Sequence, residues 1–161
     1  MAGLKQTFVT KLTDVNSSAQ EPLGTIRVEN NKVYKYVQIL NSATVAGVAG
    51  DLVVYFAATG YGNNRVCVRA ADGDATTPFG AGALVAAVAG VAATAEYGWI
   101  QIEGLCTLSN NVTSAAAGMS FAKTTADKIG ALAVATNAAG IGNMMGISVN
   151  TTTGVCLNCP W

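Results

Sequence analysis

Hydrophobic and polar residues alternate along much of this chain, and the alternation predicts β-strands. Between residues 25 and 29, apolar Ile26 and Val28 alternate with polar neighbours, as in a strand with one buried face. The following stretch, 32–40, is dense in β-branched and aromatic residues, which favour strands. Asn30-Asn31 separates the two stretches, and asparagine tolerates the positive φ angles of a tight turn. Together they predict a β-hairpin.

Similar stretches recur at intervals of roughly 8–12 residues, separated by clusters of Gly, Asn and Thr, which is typical of a sandwich or barrel. Further strands are predicted over Gln6–Leu12, Leu52–Ala58, Arg65–Ala70, Tyr97–Leu108, Met119–Lys123, Lys128–Ala135, Asn143–Val149 and Gly154–Cys159. The Ala/Val stretch Leu84–Ala95 fits a helix or a strand pair, and its valines and internal glycine favour the strand pair. Residues 60–64 and 71–74 are predicted turns, and 75–82 an exposed connection. The best helix candidate, Thr113–Gly118, is a single turn at most.

The predicted fold is therefore an all-β, small sandwich or barrel-like domain with an extended N-terminal arm and little or no helix. Residues 1–23 are expected to form the arm and first strand, and 24–161 a single β domain. A subdomain boundary near 71–82 is the alternative.

The composition points to an association surface. Hydrophobic residues make up 51% of the chain, whereas charged residues make up 11%, against about 25% in an average soluble domain. The formal net charge is zero, and no basic cluster exists to neutralise phosphates, so nucleic acid is not an expected partner. So little charge protects a monomer poorly against association, which suggests a surface that partners cover.

No membrane insertion is expected. The apolar stretch Ala81–Ala95 is shorter than the roughly 20 residues that span a bilayer, and the N-terminus lacks an apolar run of signal-peptide length. The sequence is therefore interpreted as that of a protein made in the cytoplasm.

Candidate catalytic groups are few. The chain has no histidine, which removes the commonest general base and the usual activator of a Ser or Cys nucleophile. Asp72 and Asp74 could bind calcium weakly, but solvated turn carboxylates are the simpler interpretation. A small hydrolase using these aspartates or Glu103 is the remaining enzymatic alternative. We expect no enzymatic activity and no cofactor.

Four cysteines, Cys67, Cys106, Cys156 and Cys159, leave two interpretations. The last two form a CxxC pair, as in zinc knuckles and redox motifs, but a second pair of closely spaced ligands is missing. The other interpretation treats all four as small hydrophobic residues, mostly buried in strands. No metal site is predicted, and the state of the four thiols stays open.

Two segments carry a family resemblance. Residues 21–37, EPLGTIRVENNKVYKYV, resemble a segment of small virion proteins of tailed bacteriophages, in which an LG turn leads into a hairpin with YKYV-like alternation. The second half is similar to capsid decoration (cement) proteins. Its likeness lies in YGWIQIEGLCTL at 97–108, the Ala/Gly-rich step to Gly118, and the closing strand at 141–149.

This resemblance implies a structural virion protein that is synthesised in the host cytoplasm. It would bind the outer surface of a phage capsid and stabilise the lattice of the major capsid protein. The implied partners are that protein and further copies of this chain, as a homotrimer or dimer. The terminal residues Leu4, Phe8, Pro160 and Trp161 are the predicted subunit contacts. The alternative is a tail, fibre or head-fibre subunit that binds host glycans through aromatic residues such as Trp99.

Overall fold

The structure of the protein is a computed structural model that describes residues 7–56, 60–68, 72, 80–109, 120–123, 132–134, 146–148 and 154–159. It confirms an all-β, barrel-like domain. The strands are β1 (Ile26–Glu29), β2 (Lys32–Ile39), β3 (Leu52–Tyr55), β4 (Arg65–Cys67), β5 (Gly80–Leu84), β6 (Glu96–Thr107), β7 (Ser120–Lys123), β8 (Leu132–Val134), β9 (Gly146–Ser148) and β10 (Gly154–Asn158).

Five of these strands close into a barrel, in the order β2-β4-β3-β5-β6 and back to β2. The closing seam is the antiparallel pairing of β2 with β6, which runs from Val33 opposite Glu103 to Ile39 opposite Glu96. β2 pairs with β4 in parallel, and the other barrel neighbours pair antiparallel. β1 extends the sheet from β2, and β10, β9, β7 and β8 extend it from β6.

The predicted hairpin is confirmed as β1 and β2. Asn30 and Asn31 both have positive φ angles, 51° and 61°, and Glu29 pairs directly with Lys32. A two-residue turn with positive φ at both positions matches the natural twist of two antiparallel strands, which explains why two asparagines occupy it.

The barrel interior contains the main hydrophobic core. Period-2 alternation directs one face of each strand inward, so that Val33, Val37 and Ile39 of β2 meet Ile100 and Ile102 of β6. Strands β3 and β5 are buried along their whole lengths.

The strand predicted over Gln6–Leu12 is wrong for its described part. Residues 7–12 form no strand. The backbone N–H groups of Val9 and Thr10 donate instead to the Glu21 carboxylate, at 2.6 and 3.2 Å. A side chain thus replaces a strand ladder as the hydrogen-bond acceptor.

The strand pair predicted over Leu84–Ala95 is also wrong. Beyond Leu84, where β5 ends, the chain forms an irregular loop with one isolated bridge, between Val88 and Gly47. The Glu96 carboxylate accepts from the N–H groups of Ala89 and Gly90, at 3.0 and 2.6 Å, and so fixes the loop without a ladder.

The remaining differences are smaller. The predicted connection 75–82 is wrong at its end, since Gly80 and Ala81 begin the buried strand β5. Residues predicted as a turn after β3 include one short helix, α1 (Gly60–Asn63). The strand predicted over Tyr97–Leu108 is confirmed, and β7 to β10 each fall inside a predicted stretch. Thr113–Gly118 lies outside the described residues, as does most of the alternative boundary at 71–82.

Candidate interface

One of the four predicted subunit contacts, Phe8, lies in the described part of the chain. Its ring packs edge-on against Trp99 of the same chain, with centroids 5.6 Å apart and planes at 84°. Leu4, Pro160 and Trp161 lie outside the described residues. Phe8 is half-buried, so part of its ring still faces solvent, and its contact with another subunit stays a prediction.

Phe8 belongs to an aromatic cluster on the outer side of the barrel. Because Val33 and Val37 point inward, the intervening Tyr34 and Tyr36 point outward, where Tyr36 contacts Trp99 at a centroid distance of 5.2 Å. Partly buried residues cover this cluster: Phe8, Leu12, Val85 and Tyr97. The result is a second, smaller hydrophobic core between the barrel wall and the N-terminal arm.

The arm is fastened over this cluster by polar contacts. The indole Nε1 of Trp99 donates to Thr10 Oγ1 at 2.9 Å, and Arg27 Nη1 donates to the Thr10 carbonyl at 3.1 Å. The Arg27 guanidinium also lies 4.9 Å from the centre of the Phe8 ring, within the range of a cation–π interaction. Further along, Asn16 and Tyr97 exchange two backbone hydrogen bonds of 2.9 and 2.8 Å.

An open groove of about 540 Å³ separates the arm from β1. Residues 7–13 form one wall, and Arg27 and Glu29 form the other. These two side chains make an ion pair of 2.7 Å across one face of β1. Val28, on the opposite face of β1, is 69% exposed. Val9, in the arm wall of the groove, is 78% exposed. Apolar and charged groups thus lie together at this end of the sheet.

Two of the described carboxylates, those of Asp72 and Asp51, serve the fold as hydrogen-bond acceptors. Asp72 accepts from the backbone N–H of Ser42 at 2.6 Å and from its hydroxyl, which joins two distant segments. Asp51 accepts from the N–H of Val48 at 2.8 Å and from the hydroxyl of Ser109. This use of Asp72 supports a structural interpretation over the calcium alternative, whose other ligand, Asp74, lies outside the described residues.

The cysteines behave as the hydrophobic interpretation predicts, with one exception. Cys67, Cys106 and Cys159 are buried thiols, whereas Cys156 is exposed. Burial raises the pKa of Cys106 to about 11 and that of Cys159 to about 12, so neither carries a reactive thiolate at neutral pH. Within the described ranges, no group of three or more His, Cys, Asp and Glu residues could hold a metal ion.

The burial of one charged residue, Lys35, was not predicted from the sequence. Lys35 has the same inward phase as Val33 and Val37, and it is only 4% exposed. Its Nζ donates to the hydroxyl of buried Tyr55 at 3.2 Å, and desolvation lowers the pKa of the lysine. The strand alternation alone could have indicated this position, because a lysine in phase with buried valines must enter the core.

Comparisons with known proteins identify no relative: the chain matches no protein-family model, no curated protein and no solved structure. No helix in the described part of the chain has the length and apolar character needed to cross a membrane.

Proposed function

We propose that this chain is a structural virion protein of a tailed bacteriophage, a decoration protein that binds the outside of the capsid. It stabilises the lattice by contacting neighbouring copies of the major capsid protein. The observation that carries the proposal is a pair of sequence segments: 21–37 resembles small virion proteins of tailed bacteriophages, and 97–108 resembles capsid decoration proteins.

The arrangement of these two segments supports the proposal. The first contains β1 and most of β2, and the second contains nearly all of β6. β2 and β6 pair along the barrel seam, so the two segments are neighbours in the fold. Adjacent positions in the fold are what a shared structural unit would produce for these two segments.

Binding to purified heads tests the proposal. Undecorated heads of the parent phage are mixed with the purified chain at micromolar concentration and pelleted. We expect co-sedimentation that saturates at a fixed ratio of chain to major capsid protein. A chain that remains in the supernatant at every concentration contradicts the proposal.

The predicted terminal contacts give a sharper version of this experiment. Leu4→Ser and Trp161→Ser should each weaken head binding by at least about tenfold, because buried aromatic and apolar anchors dominate interface energies. Trp161→Phe is the matched control, since it keeps an aromatic ring at the same position. Wild-type head binding by all three variants would contradict the predicted terminal contacts. It would not bear on the decoration role itself, which the co-sedimentation experiment tests.

The glycan-binding alternative is less well supported, because its main candidate residue, Trp99, is not accessible to a ligand. Trp99 is 2% exposed and lies beneath the arm, where a sugar ring cannot stack on it. Tyr36 is fully buried beside it. The capsid role does not depend on exposed aromatic rings in this cluster, so we retain it as the proposed function.

A further inference from the structure

β1 forms an open edge of the sheet. Its only neighbour among the described strands is β2, and no backbone hydrogen bond joins it to the described arm residues, 7–23. An open edge presents unpaired N–H and C=O groups to solvent and is a template for another strand.

The hydrogen-bond phase of β1 determines which residues face outward. The Thr25 carbonyl accepts from the N–H of Tyr36 at 2.9 Å, so the backbone carbonyl of Thr25 points toward β2. Backbone groups alternate in direction along an antiparallel strand. Arg27 and Glu29 therefore bond to β2, whereas the backbone groups of Ile26 and Val28 point away from it.

We propose that two copies of this chain pair through β1, antiparallel, with Val28 on the two-fold axis. The N–H of each Val28 donates to the Val28 carbonyl of the other copy, which closes two hydrogen bonds across the axis. A two-fold contact uses the same surface on both copies, so it closes as a dimer and leaves that edge covered.

The charges of β1 match this register. With Val28 opposite Val28, Arg27 of each copy lies opposite Glu29 of the other. These two form a non-hydrogen-bonded pair, the type in which facing side chains come closest. The 2.7 Å ion pair within each chain thus becomes a four-charge network of alternating sign. Pairing also brings together the two Val28 side chains, each 69% exposed in the single chain.

This inference is independent of the capsid role. It selects a dimer where the family resemblance allows a homotrimer or a dimer. The contact is short, so we expect a dissociation constant on the order of 10–100 µM.

Sedimentation analysis of the full chain tests the register through charge. Glu29→Lys places like charges opposite Arg27 and should raise the dimer dissociation constant at least about fivefold. Arg27→Glu should do the same with negative charges. An equimolar mixture of the two variants restores both opposite-charge pairs, so it should form a heterodimer with near wild-type affinity.

Val28→Lys supplies a second test because it places two ammonium groups on the axis, and Val28→Thr is its isosteric control. Circular dichroism and thermal unfolding establish that each variant is folded. The inference is supported if the wild type dimerises, the charged variants dissociate and the mixture recovers. A wild-type monomer at several hundred micromolar, a trimer, or a dimer insensitive to every variant overturns it.

Discussion

At the scale of single residues, the most unusual feature is a lysine in the core of a barrel. Lys35 lies on the inner face of β2 opposite Ile100 and is 4% exposed, and the hydroxyl of Tyr55 is the one acceptor that its ammonium group has among the described residues. Transfer of an ammonium ion from water into such surroundings is costly, and this cost is what lowers the pKa of the lysine. A residue that destabilises the charged folded state in this way makes stability depend on pH.

Replacing Lys35 by methionine should stabilise the protein by about 1–2 kcal/mol at neutral pH. The folded pKa lies below the unfolded value, so the unfolded state binds more protons as the pH approaches the ordinary lysine value of 10.5. The free energy of unfolding of the wild type should therefore increase relative to that of Lys35→Met as the pH rises from the folded pKa toward 10.5. Urea unfolding at about pH 7 and about pH 9.5 measures the difference.

Lys11→Met is the control for this experiment, because Lys11 is exposed. It should leave both the stability and its pH slope unchanged. A Lys35→Met protein that is less stable than wild type at neutral pH would show that the bond to Tyr55 outweighs the desolvation cost.

A second single residue, Gly90, fixes the irregular loop after β5. Its φ is +58°, and a Cβ built there would lie 1.9 Å from the Val45 carbonyl oxygen. Gly90→Ala should therefore cost at least about 2 kcal/mol of unfolding free energy, measured by urea denaturation. Gly62→Ala is the matched control, since a Cβ there has nothing within 4 Å, and an equal loss in both variants would contradict this explanation.

At the scale of elements, local patterns were predictable and distant contacts were not. The hairpin of β1 and β2 follows from a turn and two adjacent strands, all encoded within residues 25–40. The strand predicted over Gln6–Leu12 was wrong for its described part because this segment bonds to Glu21 and to Trp99, which is 89 residues from Thr10 in sequence. The Ala/Val stretch was misassigned because its backbone groups bond to the distant segment 41–47 and to the Glu96 carboxylate, rather than to a strand next to it in sequence.

The same reasoning explains what the sequence indicated about the candidate interface. Phe8 was singled out as an arm residue with an apolar ring, and that much needs no structure. Its contact with Trp99 and the opening of β1 toward solvent depend on which strands close the barrel. Pairing between strands so far apart in sequence leaves no local pattern.

The attachment of the arm is testable through Thr10. Thr10→Val keeps the shape of the side chain but leaves the buried Trp99 Nε1–H without an acceptor, which costs about 1–3 kcal/mol. We expect this loss to appear as arm release, with faster tryptic cleavage after Lys11 while the barrel stays intact. Thr10→Ser retains the hydroxyl and should be cleaved at the wild-type rate. Unchanged cleavage in the valine variant would mean that the remaining contacts suffice to hold the arm.

At the scale of the whole molecule, the seam between β2 and β6 joins the parts of the fold. β2 contacts β1 and β4 along one edge and β6 along the other, while β6 also pairs with β5 and β10. Both strands therefore have neighbours on two sides, and Val37 of β2 and Ile100 and Ile102 of β6 are fully buried on their inner faces. The open edge at β1 has neither property.

Hydrogen exchange should reveal this difference. Backbone amides of Tyr36–Val37 and Gly98–Ile102 should exchange by global unfolding, whereas the outward amide of Val28 should exchange much faster. Mass spectrometry of overlapping peptides, or amide NMR, measures both at low protein concentration. Exchange of the seam amides as fast as that of Val28 would contradict a closed barrel.

Barrel closure also has a consequence for biosynthesis. On the ribosome, β2 is complete well before its seam partner β6, which begins at Glu96, has been made. Until then the nascent barrel is an open sheet, with the β2 edge and the apolar inner face uncovered. Pairing between distant strands is intrinsically slow and leaves such surfaces available for aggregation. Ribosome-bound chains arrested before β6 should therefore be protease-sensitive and bind chaperones, and resistance should appear only after Thr107 has left the exit tunnel.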